Sequence, residues 1–354
     1  MSHLAIGPLN TAGQAFQWAE ACRRQSVSSA FSFANSRAAA RKVTGPSHKR
    51  SLHHRVRPTV VKELQARLLL RDVSHLLDES FATITGDQRF YDLRRDLDWL
   101  RAQGKSVGVV FHGSDIRSPR LHLAREPFSY FQLLTDREQE EWENAASATR
   151  RLAIESGLPL FVSTPDLLLD LPEASWLPLV IDPSAWRPAS QVFSHPKLRV
   201  LHVPSRRNPP IKGTSYVEPV LKRLAAEGLV EYLSPESVPH GQMPALVGSV
   251  DVVIDQILTG SYGVAAIEAM AAGRVVIGSI GVEVRERVGA QIPVVESGPD
   301  GLEHAIRAIV ADPDGYAATA SQGPAFVAEH HSGARSADVL RGWLQGGPSG
   351  STMP

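Results

Sequence analysis

The chain alternates short, solid apolar runs with longer stretches in which apolar residues recur at helical spacing. The short runs, residues 4–6, 73–77, 107–111, 160–163, 200–203, 250–255 and 275–280, read as buried strands. Stretches 90–102, 216–226 and 263–272 place apolar residues three and four apart and read as helices between them. Strands that alternate with helices predict parallel sheets, so the expected class is α/β.

The alternation is interrupted once. Residues 176–204 contain Pro178, Pro183, Pro188 and Pro196, with Ser and Trp between them. Proline fixes φ and withholds an N–H, so this segment predicts a connection rather than a helix or a central strand. A fresh strand is expected to start at Leu198, and the boundary is placed near Arg187. The expected division is therefore 1–186 and 187–345, with a disordered tail over 346–354. A length of 354 residues fits two domains.

Composition narrows the partners. Hydrophobic residues make up 43% and charged residues 21%, the balance of a soluble globular protein. Lys plus Arg equal Asp plus Glu at 37 each, so no global charge points to nucleic acid. The single cysteine, Cys22, rules out an internal disulfide and a Cys-cluster metal site. The sequence shows no secretory-leader pattern and no apolar run near membrane-spanning length, so the cytoplasm is the expected compartment. One segment collects Arg41, Lys42, His48, Lys49, Arg50, His53, His54, Arg55 and Arg57. A solvated loop is the expected reading. The sharper alternative, contact with an anionic acceptor or membrane phosphates, lacks an accompanying apolar face.

The richest stretch is 251–281, DVVIDQILTGSYGVAAIEAMAAGRVVIGSIG, which reads as a complete βαβ unit. In its TGSYG turn, Gly260 and Gly263 flank Ser261 and Tyr262 and let the backbone approach a ligand. Free amides and the positive dipole end of the following helix can receive a diphosphate there. Glu268, five residues into the helix, can accept hydrogen bonds from ribose hydroxyls, and Gly273 ends the helix. Upstream, 201–224 (LHVPSRRNPPIKGTSYVEPVLKRL) runs from a strand through a basic loop into a helix. Lys212 and either Arg206 or Arg207 can stabilise charge growing on a departing diphosphate. The loop with Pro235, Ser237 and His240 is expected at the surface.

The N-terminal half offers two shorter motifs. IGPLNTAGQAFQWAEACRR reads as strand, small-residue loop and helix, with Asn10, Gly13 and Gln14 in the loop region. VGVVFHGSDIRSP delivers His112, Gly113, Ser114 and Asp115 at the carboxyl end of a strand, where open α/β sheets bind ligands. His112 can position or deprotonate an acceptor hydroxyl. Asp115 can orient His112, bind a hydroxyl or cap a helix. Arg117 is a candidate for acceptor or diphosphate, and Asp78 and Glu79, at another strand end, can hold acceptor hydroxyls. The run 163–166, STPD, is expected to cap a turn.

Taken together, and above all through Glu268-Ala-Met-Ala-Ala-Gly273 followed at once by a strand, these phrases resemble the retaining glycosyltransferases of family 4. The resemblance implies a GT-B fold, with two Rossmann-like domains whose parallel sheets face an interdomain cleft. Domain 1–186 would bind the acceptor and domain 187–345 a nucleotide-diphosphate sugar. It implies donor contacts at Gly13, Arg206 or Arg207, Lys212, Gly260, Ser261, Tyr262, Gly263 and Glu268. Acceptor contacts would fall at Asn10, Gln14, Asp78, Glu79, His112 and Arg117, with His112, Asp115 and Lys212 as catalytic candidates. The acceptor is open between a small molecule and a glycan or lipid-linked group, with peripheral membrane contact open as well.

One departure stands out. The family usually has two glutamates eight residues apart, the first on the donor sugar, and counting back from Glu268 lands on Gly260. Asp255 and Gln256 are candidate substitutes. The same glycine favours the alternatives of a non-catalytic sugar-nucleotide binder or partner subunit, and a GT-B epimerase is a further one. No Asp-x-Asp pair stands at a strand end, and His48, His53 and His54 lack carboxylate partners. No catalytic metal, and no cofactor beyond the nucleotide-sugar substrate, is therefore expected.

Overall fold

The structure, a computed structural model, describes residues 2–34, 48–50, 59–84, 93–188, 191–203, 211–235 and 238–346. The chain forms two compact units. The first comprises Met1–Ile116, Ala145–Val180 and Gly333–Pro354, and the second Arg117–Asn144 and Ile181–Ser332.

The first unit is organised by β1 (His3–Gly7), β2 (Ser29–Ala34), β3 (His48–Arg50), β4 (His75–Glu79), β5 (Ser106–Phe111), β6 (Leu160–Val162) and β7 (Ser175–Trp176). They form one parallel sheet in the order β3-β2-β1-β4-β5-β6-β7. Side chains on a strand point alternately to opposite faces. Accordingly Ala5, Phe31, Leu76, Val109 and Phe111 enter one core, while Leu4, Ile6, Ala30, Leu77 and Val110 enter another. Both faces are covered, which is why the strands read as unbroken apolar runs. The second core also receives Trp18 from the helix Gln14–Arg24 and Leu340 and Trp343 from the helix Ala334–Leu344.

The second unit carries β8 (Leu198–Leu201), β9 (Val230–Leu233), β10 (Val252–Ile254), β11 (Val275–Gly278) and β12 (Val295–Glu296). Their parallel order is β12-β11-β10-β8-β9. Val200, Val252, Ile254, Val275 and Ile277 share a core with Leu221 and Leu224 on one helix and Ile306 and Ile309 on another. Tyr130 and Phe131, from the early segment Arg117–Asn144, join that same core. The helix Val264–Ala271 is apolar nearly all round because it too is buried. Gly323 of a neighbouring helix packs against its backbone, where a Cβ would lie 2.5 Å from the Met270 carbonyl oxygen.

Some elements depart from the pattern in the sequence. The run 73–77 predicts a strand two residues early, since Val73 instead donates to the Leu70 carbonyl in the turn after a helix. Within the connection 176–204, Leu177, Leu179, Val180 and Ile181 are buried. The basic residues of 41–57 lie outside the described residues, apart from the β3 backbone, and so does the tail beyond Gly346. Among the described residues no helix is long and apolar enough to cross a membrane.

Candidate functional site

In the second unit the end of β10 delivers Asp255 and Gln256. Asp255 Oδ1 accepts from Lys212 Nζ at 2.7 Å and Oδ2 accepts from the Gly263 N–H at 3.1 Å. One buried carboxylate thus ties the loop before the helix Thr214–Ala226 to the loop before the helix Val264–Ala271. Gly213 opens the first helix at φ 82°, and a Cβ there would lie 2.4 Å from Ile257 Cγ1. Only glycine fits that position.

His202, buried after β8, fastens the same place from below. Its Nδ1–H donates to the Ile254 carbonyl and its Nε2 accepts from the Thr214 hydroxyl, both at 2.9 Å. Burial pushes its pKa down to about 4, against the pull of the Ile254 carbonyl, so the imidazole is neutral at pH 7. Sequence reasoning overlooked His202. The signal was a histidine ending an apolar strand just ahead of the Lys-Gly-Thr phrase.

Glu268 is the unusual member of this cluster. It is 8% exposed, and among the described residues its carboxyl makes no hydrogen bond. Burial raises its pKa to about 8, with Lys212 pulling down and Asp255 pushing up. A buried polar group without a partner is costly, and an incoming diol would relieve that cost. In the TGSYG turn, Ser261 Oγ is buried and lacks a hydrogen-bond partner among the described residues. The Tyr262 side chain turns inward, its hydroxyl 3.1 Å from His331 Nε2, so only its backbone is left for the expected donor contact. Gln256, whose Oε1 accepts from the Thr259 hydroxyl, and Asp255, the candidate substitutes for the glutamate absent at Gly260, are both engaged within the fold. Arg206 and Arg207 lie outside the described residues, as does Ser237. Pro235 is half-buried and His240 exposed.

The segment Arg117–Asn144 adds parts to this unit that no motif announced. Arg117 is buried at its start, and Ser118 caps the helix Pro119–Arg125 by accepting from the Leu121 N–H at 3.1 Å. The buried His122 donates from Nε2 to the Thr259 carbonyl at 3.2 Å, and the Tyr130 N–H reaches the Leu258 carbonyl at 3.3 Å. The segment also brings the Glu126 carboxylate against Gly260.

The first unit holds a separate cluster around Glu79, the last residue of β4. Its buried carboxylate accepts from the N–H groups of Leu9, Asn10 and Thr11 at 2.8, 2.6 and 2.9 Å. His112 Nε2 donates to it at 3.2 Å. The loop after β1 turns its amides inward with left-handed conformations at Asn10, Ala12 and Gly13, forming an anion nest. Burial alone would raise the Glu79 pKa, but the bonds from His112, Thr11 and Asn10 outweigh it and hold the group below its ordinary value.

His112 is thereby oriented. Its side chain is 10% exposed and stacks on Trp18 at 5.8 Å between ring centroids. Among the described residues Nδ1 has no hydrogen-bond partner, so it is the ring nitrogen left for a ligand. Asp115 accepts from the His112 and Gly113 N–H groups at 2.9 and 2.7 Å, and from the Ser80 hydroxyl. It holds the strand-end turn through the backbone and does not touch the imidazole.

The other acceptor-side candidates are interior. Asn10 Oδ1 accepts from the Phe16 N–H at 3.2 Å. The Gln14 carboxamide pairs with both backbone groups of Val180 at 3.1 and 2.7 Å. Asp78 has no exposed surface, and burial, with Glu79 and Asp96 nearby, raises its pKa well above the ordinary value. Gln14 and Glu79 thus hold the loops in shape, and Asp78 is a fully buried carboxyl, where the sequence suggested acceptor contacts. Gly13, at φ 80° before an 11-residue helix, faces open space, since a Cβ there would meet nothing within 4 Å. Among the described residues no group of three or more His, Cys, Asp or Glu is placed to hold a metal ion.

Two Rossmann-like units with parallel sheets and polar strand-end loops define the chain as a GT-B protein by fold. Solved structures of that fold match nearly its whole length. Sucrose-phosphate synthase from Thermosynechococcus elongatus is 13% identical with a TM-score of 0.61, covering 98% of this chain and 99% of that one. HepE from Anabaena, in complex with UDP and glucose, is 12% identical with a TM-score of 0.59, covering 98% and 100%. WaaG, a glycosyltransferase involved in lipopolysaccharide biosynthesis, is 11% identical with a TM-score of 0.55, again covering 98% and 100%. No protein-family model matches the sequence, and no curated protein matches it.

Proposed function

We propose that the chain is a glycosyltransferase that moves a sugar from a nucleotide-diphosphate donor to an acceptor hydroxyl with retention of configuration and without a metal. The observation that carries this reading is the Lys212–Asp255–Glu268 cluster at the openings of two helices. A diphosphate beside Lys212 would meet a fixed cation, held by Asp255, and the positive end of the helix Val264–Ala271. Ribose hydroxyls would donate to Glu268 and favour its ionised form, so donor binding releases a proton near neutral pH. HepE supports a nucleotide-sugar donor, having been solved with UDP, with UDP and glucose, and with UDP-glucose.

In the first unit, His112 Nδ1 would receive the hydrogen bond of an acceptor or sugar hydroxyl. The Glu79 carboxylate behind Nε2 fixes the tautomer and stabilises positive charge on the ring if Nδ1 takes a proton. Asp115 is a positioning residue here. Retention rests on the resemblance of the 259–273 phrase to family 4.

The test is a thermal-shift panel of UDP, GDP, ADP and their hexose esters, followed by a donor-turnover assay with and without EDTA. Ligand at about a hundred times its dissociation constant stabilises by roughly 2.7 kcal/mol, a clear melting shift. We expect one nucleotide family to shift the wild type, Glu268→Ala to lose the shift, and turnover to persist in EDTA. No shift with any nucleotide removes the donor reading, and turnover restored only by Mn²⁺ removes metal independence. A second reading, a non-catalytic sugar-nucleotide binder, is favoured by Gly260. It predicts the shift with no sugar or nucleotide ever released.

A further inference from the structure

One buried carboxylate that the mechanism above leaves unused is Glu126. It follows the helix Pro119–Arg125, and its N–H donates to the His122 carbonyl at 2.9 Å. The backbone is pinned on both sides. His122 is fastened to Thr259 and to the Ser129 hydroxyl, at 3.2 and 2.8 Å. Phe128 packs on Gly298, where a Cβ would lie 3.0 Å from the ring, and Tyr130 is bonded to the Leu258 carbonyl.

So held, the Glu126 carboxylate enters space that two turns leave vacant. An ideal Cβ on Gly260 would lie 2.1 Å from Oε1, 2.3 Å from Cδ and 2.6 Å from Oε2. One on Gly281 would lie 3.0 Å from Oε1. The Gly281 N–H donates to the Gly260 carbonyl at 2.9 Å, which makes the two turns a single platform. Glu126 is 9% exposed. Its carboxylate stands at the first glycine of the TGSYG turn, beside the opening of the helix Val264–Ala271.

A carboxylate there repels phosphate oxygens and attracts hydroxyl donors. With the diphosphate drawn to Lys212 and the helix amides, the neighbouring uncharged polyol of the donor is the group that a carboxylate recognises. We propose that Glu126 binds hydroxyls of the donor sugar, so that residue 126 provides from a distant part of the chain the carboxylate that residue 260 does not carry. This assignment rests on the donor reading above. It makes Gly260 a requirement of the site rather than a sign of its loss, because any side chain at 260 would displace Glu126.

The test compares each nucleoside diphosphate with its hexose ester by calorimetry: UDP with UDP-glucose, GDP with GDP-mannose, ADP with ADP-glucose. The pair binding the wild type most tightly is then measured on Glu126→Gln, Glu126→Ala and Gly260→Ala. A hydrogen bond to a charged acceptor is worth about tenfold or more in affinity. We expect Glu126→Gln to weaken the ester about tenfold while the bare diphosphate stays within about twofold. Gly260→Ala, which pushes the carboxylate aside without removing it, should give the same selective loss. Mono-deoxy hexose esters should bind the wild type more weakly, at one hydroxyl at least, and Glu126→Gln no more weakly than the full ester. Equal loss of both ligands in Glu126→Gln assigns a purely structural role and overturns the proposal. So does unchanged ester affinity, or a diphosphate that binds more tightly with the ester unaltered. Failure of every pair to bind the wild type is a separate result, seen before any variant is made, and it overturns the donor reading itself. Should Glu126→Ala not fold, the isosteric Glu126→Gln still decides.

Discussion

Glu79 in the first unit and Glu268 in the second are both buried carboxylates next to a basic side chain, yet their electrostatic outcomes are opposite. Glu79 collects three backbone amides and His112, and its pKa falls below the ordinary value despite burial. Glu268 has no hydrogen bond among the described residues, and burial lifts it to about 8. A satisfied carboxylate holds a loop in shape, and an unsatisfied one is held ready for a partner. The comparison teaches where in each unit to look for ligand contacts. The places are the groups left over by the fold, His112 Nδ1 in one case and the Glu268 carboxyl in the other.

The largest expected effect breaks the satisfied side. Glu79→Ala leaves three amides and the His112 N–H without their acceptor in a buried place. Unfolding in urea should lose about 3–5 kcal/mol of stability, the scale seen when one member of a buried charged network is removed. A loss near zero would mean that water replaces the carboxylate and that the nest is not built around it.

That network shows where sequence reading stops. Glu79 was visible as a strand-end carboxylate, but its three amide partners lie about seventy positions earlier in the chain. They are backbone groups, which no residue pattern advertises, and only the pairing of β1 with β4 brings them together. By contrast the TGSYG turn, Lys212 and Glu268 sit within a few elements of one another, so glycine, charge and apolar periodicity announce them directly. Strand β2 escaped notice because Ser29 and Ser32 interrupt its apolar run. The segment Arg117–Asn144 escaped as well, since nothing in Tyr130 or Phe131 says which core they will enter.

A smaller effect is expected on the second unit. Lys212→Ala removes the cation that Asp255 holds at 2.7 Å. On the donor reading its charge matters most as the diphosphate leaves, so kcat should fall about a hundredfold, roughly 2.7 kcal/mol, while acceptor KM changes little. An unaltered kcat with a raised acceptor KM would move Lys212 to the acceptor side.

The smallest effect is also the sharpest measure of the contrast, because pH acts on the two carboxylates with opposite sign. Glu79 has a depressed pKa, so its contribution is present above the ordinary glutamate value of 4.5 and is lost as pH falls through the lower folded value. Glu268 has a raised pKa, so the folded state keeps a proton that the unfolded chain gives up above 4.5. Its cost to stability therefore begins near pH 4.5, grows as pH rises, and levels off above about 8. The buried His202, lowered from 6.5 to about 4, contributes its own slope only below pH 6.5, which leaves pH 6.5–8 clear of it. Asp78, also raised, adds to the slope of wild type and variant alike and cancels in their difference. Urea unfolding should then show the wild type losing about 1–2 kcal/mol between pH 6.5 and 8 that Glu268→Gln does not lose. Saturating nucleotide should erase that difference in slope, because ribose hydroxyls favour the ionised carboxylate. Parallel pH profiles for wild type and variant would show that Glu268 is already ionised in the free protein, and the two carboxylates would then differ in place but not in kind.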